Sequence, residues 1–172
     1  MFIELITRRR SIRRFEQRPV EREKMDVLVE TALRAPSSRG TNPWEFVFVT
    51  GPEKLARLSL AKPHGASFIK DAALAVVVCA DPQKSDVWAE DASIAATYLH
   101  LAATDLGLGS CWVQIRLRQH DAQKTSSAYV AELLGLRPGL EVAAIMAIGH
   151  ALEDKPPHPK ASLPYEKIQF QS

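Results

Sequence analysis

The sequence has 172 residues, of which 46% are hydrophobic and 24% are charged, and its formal net charge is +2 at pH 7. These values predict a single globular domain over residues 1–172 and do not favour bulk attraction to nucleic acid or to an anionic membrane. No apolar run is long enough to cross a bilayer, and the opening segment lacks the features of a secretion signal. We therefore expect a cytoplasmic protein with no nucleic-acid or membrane partner.

The positive charge is concentrated near the start of the chain. After a predicted short helix over residues 2–7, five arginines and one serine occur within residues 8–15, the segment that we call the arginine arm. Guanidinium groups bind phosphate or carboxylate through paired N–H donors, and a serine hydroxyl can donate to the same oxygens. Ile12 and Phe15 interrupt the charges and predict that the arm is anchored to a core, with its arginines directed into one pocket. A solvated basic face or a nucleic-acid-binding arm is the alternative.

The next part of the chain alternates helical and strand patterns. The spacing of apolar residues predicts a helix over 21–33, a turn-rich loop over 35–44, a strand over 45–50 and a helix over 51–60. The continuous apolar run at 73–80 predicts a strand that is buried on both faces. Cys79 in this run and Cys111 further along are predicted to be buried free thiols.

The longest predicted helix is capped by Ser85 or Asp86, ends near Leu106 and is apolar on nearly every face. A helix of this kind is buried, either within its own domain or against a partner subunit. Strands are predicted over 110–115 and 141–149, with a helix over 121–134 between them. The proline-rich tail after residue 149 is predicted to be extended over a neighbour rather than helical.

The sequence lacks the motifs of several common active sites. Alternating helices and strands first suggest a doubly wound sheet, but the one G-x-G, at Gly107 and Gly109, lies between a helix and a strand and lacks the third glycine of the dinucleotide fingerprint. There is no P-loop and no nucleophile-elbow serine. The five histidines are scattered, so we expect no metal site.

Four segments in a fixed order resemble the FMN-dependent nitroreductase family. They are residues 9–15, residues 35–39 leading to 43–46, the helix-to-strand turn at 107–112, and the tail after Gly149. The resemblance covers essentially the whole chain. It implies an α/β (α+β) fold, a three-layer α-β-α sandwich on a mainly antiparallel sheet. It also implies an intertwined homodimer, in which the C-terminal tail (about residues 150–172) extends over the partner subunit.

The same resemblance implies an FMN site at the dimer interface. The residues that it assigns to FMN are Arg9, Arg10, Ser11, Arg13, Pro36, Ser37, Ser38, Trp112, Val113, Gln114 and Lys160. The start of the arm and Lys160 would hold the phosphate, and Arg13 would approach the N1/O2 edge of the flavin ring. Residues 36–38 would come from the partner subunit. Residues 112–114 would lie along the ring, with the Gln114 backbone N–H near flavin N5.

The implied function is an FMN-dependent oxidoreductase that uses NADH or NADPH to reduce nitroaromatics, quinones or similar small molecules by a ping-pong mechanism. No side chain is assigned a catalytic role, because the flavin carries the chemistry. The sequence leaves two alternatives to this function open. One is an enzyme of the same fold that fragments flavin or removes halogen from a substrate, and the other is a non-catalytic anion-binding domain. Gly40 departs from the asparagine of many members, and the short chain predicts a more open flavin site.

Overall fold

The computed structural model describes residues 1–171, which form five α-helices and one four-stranded sheet. The helices are α1 (Phe2–Arg8), α2 (Arg22–Leu33), α3 (Pro52–Leu58), α4 (Trp88–Asp105) and α5 (Ser126–Leu134). The strands are β1 (Trp44–Val49), β2 (Leu74–Ala80), β3 (Gly109–Gln114) and β4 (Glu141–Gly149). Short 3-10 turns occupy Ser38–Gly40, Ser67–Asp71, Lys160–Ser162 and Tyr165–Lys167. Within residues 1–171, no helix has the length and apolar character that spanning a membrane requires.

The strands pair in the order β1-β2-β4-β3, and every pair is antiparallel. The two central strands, β2 and β4, are the continuous apolar runs, because helices cover both of their faces. The doubly wound parallel sheet that the alternation of elements first suggested is therefore wrong. The mainly antiparallel sheet is confirmed.

Helices lie on both faces of the sheet and give three layers. Alternate residues of a strand point to opposite faces, so Val76 and Met146 pack against α2 and α4, whereas Val77 and Ile145 pack against α3 and α5. The α3/α5 face also receives Ile12 and Phe15 of the arginine arm. The predicted α-β-α sandwich is confirmed.

The starts of α4 and α5 differ most from the prediction, whereas α2 and α3 begin one residue later than predicted. Neither Ser85 nor Asp86 caps α4, which begins at Trp88. The predicted helix over 121–134 is shorter by five residues, since the Thr125 side chain accepts a hydrogen bond from a first-turn N–H and caps α5 there. Asp121 instead accepts two backbone N–H groups and closes a separate turn.

Only one side of α4 is covered within the chain. Its small residues face the sheet, whereas Ile94 and Tyr98 on the opposite side are 39% and 40% exposed. The prediction that a partner subunit covers the rest of α4 stays a prediction. Cys79 and Cys111 are confirmed as buried free thiols, and burial raises the pKa of Cys79 to about 12.

Candidate functional site

The arginine arm runs beside the edge strand β3. Ser11 forms a parallel bridge with Ser110, and the Ile12 backbone N–H donates to the Ser110 carbonyl at 2.9 Å. Phe15 forms an antiparallel bridge with Ala151, just after β4. The arm is therefore an ordered part of the fold, held between the edge of the sheet and the start of the tail.

Two apolar side chains fix the arm to the core, as predicted. Ile12 is 8% exposed and Phe15 is 3% exposed. Each lies against a glycine: a Cβ added at Gly109 would be 2.7 Å from Ile12 Cγ2, and one added at Gly149 would be 3.1 Å from Phe15 Cδ1. A side chain at Gly109 would therefore force Ile12 to shift, and one at Gly149 would crowd both Phe15 and the Ala73 backbone N, which lies 3.2 Å from the added Cβ.

The tail contributes a carboxylate and an ammonium group that the sequence analysis missed. Glu153 Oε1 accepts the backbone N–H groups of Arg13 at 2.6 Å and Arg14 at 3.3 Å. The Arg13 bond, followed by the bond with Lys155, keeps the pKa of Glu153 below its usual value. Lys155 also donates to the Ser11 carbonyl at 2.8 Å. Nothing in the sequence around Glu153 and Lys155 distinguishes them from solvated tail residues.

Arg9 is oriented by a histidine. Arg9 Nη1 lies 3.0 Å from His100 Nε2 on α4, and His100 Nδ1 forms a short hydrogen bond with Ser110 Oγ. An arginine only donates, so His100 Nε2 must accept and the ring proton must lie on Nδ1. Burial and the Arg9 charge lower the pKa of His100 to about 4, so the ring is neutral at pH 7. Because this partner is uncharged, it orients Arg9 without forming an ion pair with it.

Arg9 and Lys160 line one cavity of about 500 Å³ between α1 and the tail. The complete lining is Ile3, Ile6, Thr7, Arg9, His158, Lys160, Leu163 and Tyr165. This set contains two permanent cations and no acid. The structure thus brings together Arg9 of the arm and Lys160 of the tail, 151 positions apart in the numbering.

The strand β3 presents its backbone and two side chains at the edge of the sheet. Because the Ser110 carbonyl faces the arm, the alternation of a strand directs the backbone groups of Trp112 and Gln114 the same way. Trp112 Nε1 donates to Gln114 Oε1 at 2.9 Å and fixes both side chains. Val113 is 1% exposed in the α3/α5 core, and the same alternation directs its backbone N–H and C=O at Ile145 of β4.

The loop at residues 36–38 is held by a buried aspartate that the sequence analysis missed. Asp91, 2% exposed, accepts the Ser38 backbone N–H at 2.7 Å and the Ser85 hydroxyl at 2.8 Å. Pro36 is exposed, and the Ser37 hydroxyl oxygen accepts the Asn42 backbone N–H at 2.8 Å. The available signal was a lone acid in the buried stripe of an otherwise alanine-rich helix.

The loop and the start of the arm lie at opposite ends of α4. Ser38 is bonded to Asp91 and Arg9 to His100, and nine helical residues separate these two partners by roughly 14 Å. Within one chain, the structure places the arm, Lys160 and β3 around one edge. It does not bring residues 36–38 to the cavity that Arg9 and Lys160 line. Among the described residues, no group of three His, Cys, Asp or Glu side chains is arranged for a metal.

The chain matches known proteins over most of its length. The model of the Nitroreductase family matches residues 6–62 and 61–150. The solved structure of an FMN-dependent nitroreductase from Clostridium difficile R20291 is 43% identical, with 99% of each chain covered and a TM-score of 0.97.

Two curated proteins give sequence matches of similar extent. A protein from Archaeoglobus fulgidus named "Putative NADH dehydrogenase/NAD(P)H nitroreductase" is 32% identical over 157 residues, which are 89% of this chain and 87% of the relative. An NADPH-flavin oxidoreductase from Vibrio harveyi is 33% identical over 178 residues, covering 94% of this chain and 70% of the relative.

Proposed function

The chain belongs to the nitroreductase family and is an FMN-dependent NAD(P)H oxidoreductase, and we propose that it reduces nitroaromatic compounds, quinones or similar acceptors by a ping-pong mechanism. When bound, FMN supplies the hydride- and electron-transfer chemistry. The residues of the chain would then hold the cofactor, orient its ring and leave one ring face open. NADH or NADPH and the acceptor would occupy that face in turn.

The observation that carries this proposal is the cavity shared by Arg9 and Lys160. Two cations without an acid suit a phosphate dianion, and the Arg9 guanidinium offers further N–H donors besides the one directed at His100. Arg10 and Ser11 follow directly in the arm and are half-buried. We assign Arg9, Ser11 and Lys160 to the FMN phosphate, with Arg10 near the phosphate or the ribityl chain.

The edge of β3 suits the flavin ring. The backbone groups of Trp112 and Gln114 face this edge, and the Gln114 N–H is assigned to flavin N5. Val113 would lie along the ring only through van der Waals contact of its main chain, since its side chain lies in the core and its backbone N–H and C=O face β4. The exposed side chain of Arg13 begins beside the same edge and is assigned to the N1/O2 side of the ring, where a cation stabilises negative charge that develops on reduction.

The proposed homodimer accounts for surfaces that a single chain leaves open. Ile94 and Tyr98 of α4 are exposed, and so are Tyr165, Ile168 and Phe170 of the tail. Exposed apolar residues of this number favour burial against another chain. In the dimer, residues 36–38 of the partner subunit would complete the flavin site, and the tail of each chain would extend over the other.

The first experiment is a visible absorption spectrum of the purified protein, before and after anaerobic addition of NADH and, separately, NADPH. We expect yellow protein that loses its colour with one or both donors and regains it with a nitroaromatic or quinone. A yellow protein that neither donor bleaches would favour other flavin chemistry. A colourless protein that takes up no added FMN would contradict the proposal in favour of an anion-binding domain.

The residue assignment is tested by a paired substitution. Arg9→Ala with Arg13→Ala should give a folded dimer that purifies without flavin, because both cations directed at the cofactor are removed. The matched control is Arg22→Ala with Arg34→Ala, which removes two exposed arginines, one at the first residue of α2 and one directly after its end. Full flavin occupancy in the first double variant would overturn the assignment of the arm. A monomer that retains FMN would overturn the dimeric site.

A further inference from the structure

We propose that His100 is a positioning residue, held by Ser110, that fixes the Arg9 guanidinium for the phosphate of FMN. The inference rests on the proposed function, because it takes the Arg9 cavity as the phosphate site. It adds a residue that lies outside the arm, the loop, β3 and the tail. It also explains how the half-buried Arg9 side chain acquires a defined geometry.

The three groups form a directed chain of hydrogen bonds. The His100 Nδ1–H donates a hydrogen bond to Ser110 Oγ. The other ring nitrogen, Nε2, is then an acceptor and lies 3.0 Å from Arg9 Nη1. Ser110 is 1% exposed, and its own carbonyl accepts the Ile12 N–H of the arm. The side chain and the backbone of one buried residue therefore set the positions of both His100 and the arm.

The histidine orients Arg9 without neutralising it. A carboxylate at this position would form an ion pair with Arg9 and compete with a phosphate for the guanidinium, whereas a neutral imidazole leaves the positive charge available. The groups facing His100 from the neighbouring elements are Arg9 from the arm and Ser110 from β3. Thr104, on α4 itself, donates to the His100 carbonyl and is uncharged. Arg9 is the charged group whose field acts on the ring.

Protonation of His100 would reverse this arrangement. The imidazolium would lose its acceptor at Nε2 and would place a second cation 3.0 Å from Arg9 Nη1. Burial and Arg9 hold the pKa of His100 at about 4, so the positioning contact persists at neutral pH and fails in acid. Arg9 would then move, and the phosphate would lose its oriented partner.

A purely structural role for His100, in joining α4 to β3, makes a different prediction. Loss of packing would weaken the whole flavin site, so FMN and riboflavin would lose affinity together. Loss of Arg9 orientation would weaken FMN alone, since riboflavin has no phosphate. Comparison of the two ligands therefore separates the two roles.

The experiment measures dissociation constants for FMN and riboflavin with apoprotein, by flavin fluorescence, for the native chain, His100→Ala and His100→Gln. We expect His100→Ala to weaken FMN on the order of tenfold and to leave riboflavin within about twofold, the size expected for one hydrogen bond to a charged group. His100→Gln should restore most of the FMN affinity, because its amide oxygen can accept from Arg9 and its nitrogen can donate to Ser110.

A pH series adds a signature that packing alone would not give. The phosphate of FMN takes up a proton near pH 6, and the resulting loss of negative charge weakens FMN binding in every variant. Below about pH 5 the native chain should lose FMN affinity more steeply than His100→Gln, which does not titrate. Parallel profiles for the two proteins down to pH 3, a full pH unit below the pKa of His100 at about 4, would overturn the proposal.

Arg9→Ala distinguishes failure of this inference from failure of the proposed function. If Arg9→Ala binds FMN as the native chain does, the phosphate site itself is wrong. If Arg9→Ala weakens FMN but His100→Ala does not, the site stands and the positioning role is wrong. Equal losses of FMN and riboflavin in His100→Ala would likewise overturn the positioning role in favour of packing.

Discussion

The Arg13 guanidinium lies over the ring of Phe68, with 5.8 Å between Arg13 Cζ and the ring centroid. Phe68 comes from the 3-10 turn Ser67–Asp71 and packs against the α3/α5 core. The Arg13 backbone N–H is held from the other side by Glu153 at 2.6 Å. An arginine with an exposed side chain is thus restrained at both its backbone and its charged end, next to the edge of β3.

Phe68→Leu should lower the affinity for FMN several-fold and change the stability of the fold little. Leucine keeps an apolar body in the core but lacks the aromatic face, and a cation over such a face at an exposed site contributes about 0.5–1 kcal/mol. The measurement is FMN titration together with thermal unfolding of the apoprotein. Phe48→Leu, on the α2/α4 face of the sheet, is the matched control and should leave FMN affinity unchanged. Equal FMN affinity in the two variants would contradict the role of Phe68.

Asp91→Ala should destabilise the fold by roughly 2–3 kcal/mol, because it removes the acceptor of two hydrogen bonds at a buried position. The freed Ser38 N–H and Ser85 hydroxyl would also loosen the loop at residues 36–38. Urea unfolding measures the loss of stability, and limited proteolysis measures the loop. The control is Glu90→Ala, an exposed carboxylate one position earlier on α4. If both variants unfold at the same urea concentration, Asp91 does not hold the loop.

The sequence was sufficient for most of the helices and strands and for the anchoring of the arginine arm. The continuous apolar runs predicted the ends of β2 and β4 to within one residue, because strands that are buried on both faces have apolar residues at nearly every position. The anchoring of the arm by Ile12 and Phe15 was also predictable, because bulky apolar side chains are stabilised by burial in the core and not by exposure beside arginines. The antiparallel order of the sheet was not available from the pattern of elements and came from the family resemblance alone.

The residues that the sequence did not reveal act through pairings between distant segments. Asp91, His100 and Glu153 are single polar residues, and each becomes informative only when its partner from another segment is placed beside it. The start of α5 was missed for a local reason. Asp121 and Thr125 are both good capping residues, and the competition between them is decided by the turn that Asp121 closes with Gln123.

Gly109→Ala should destabilise the protein by about 1–3 kcal/mol and weaken FMN binding, because the new methyl group would lie 2.7 Å from Ile12 Cγ2. Ile12 would have to move away from β3, and Arg9, which precedes it in the arm, would move with it. Gly51→Ala is the control: nothing lies within 4 Å of the added Cβ, and only the cap of α3 changes, at a cost below about 1 kcal/mol. Unfolding and FMN titration of the two variants give the comparison, and equal effects would contradict close packing of the arm.

Arg137 joins the ends of two neighbouring strands and makes stability depend on pH. It lies 2.6 Å from Glu45 on β1 and 3.1 Å from Asp81, which follows β2. A hydrogen bond from the Gln83 backbone N–H, followed by the bond with Arg137, holds the pKa of Asp81 below its usual value. A carboxylate whose pKa is lowered by folding stabilises the native state above its unfolded pKa, and this stabilisation is lost as pH falls through the folded pKa.

Arg137→Gln should therefore lower the unfolding temperature at pH 7, and the difference from the native chain should stay constant down to about pH 5. It should shrink as pH falls below about 4, because Asp81 then takes up a proton in the native chain as well and the ion pair is lost there too. Arg34→Gln is the control: it breaks a solvent-exposed pair with Glu30 on α2 and should change the unfolding temperature little at any pH. Thermal unfolding of the three proteins from pH 7 to pH 3 makes the measurement. A difference for Arg137→Gln that is unchanged at pH 3, or that grows in acid, would show that Arg137 stabilises the strand ends by packing and not through the Asp81 carboxylate.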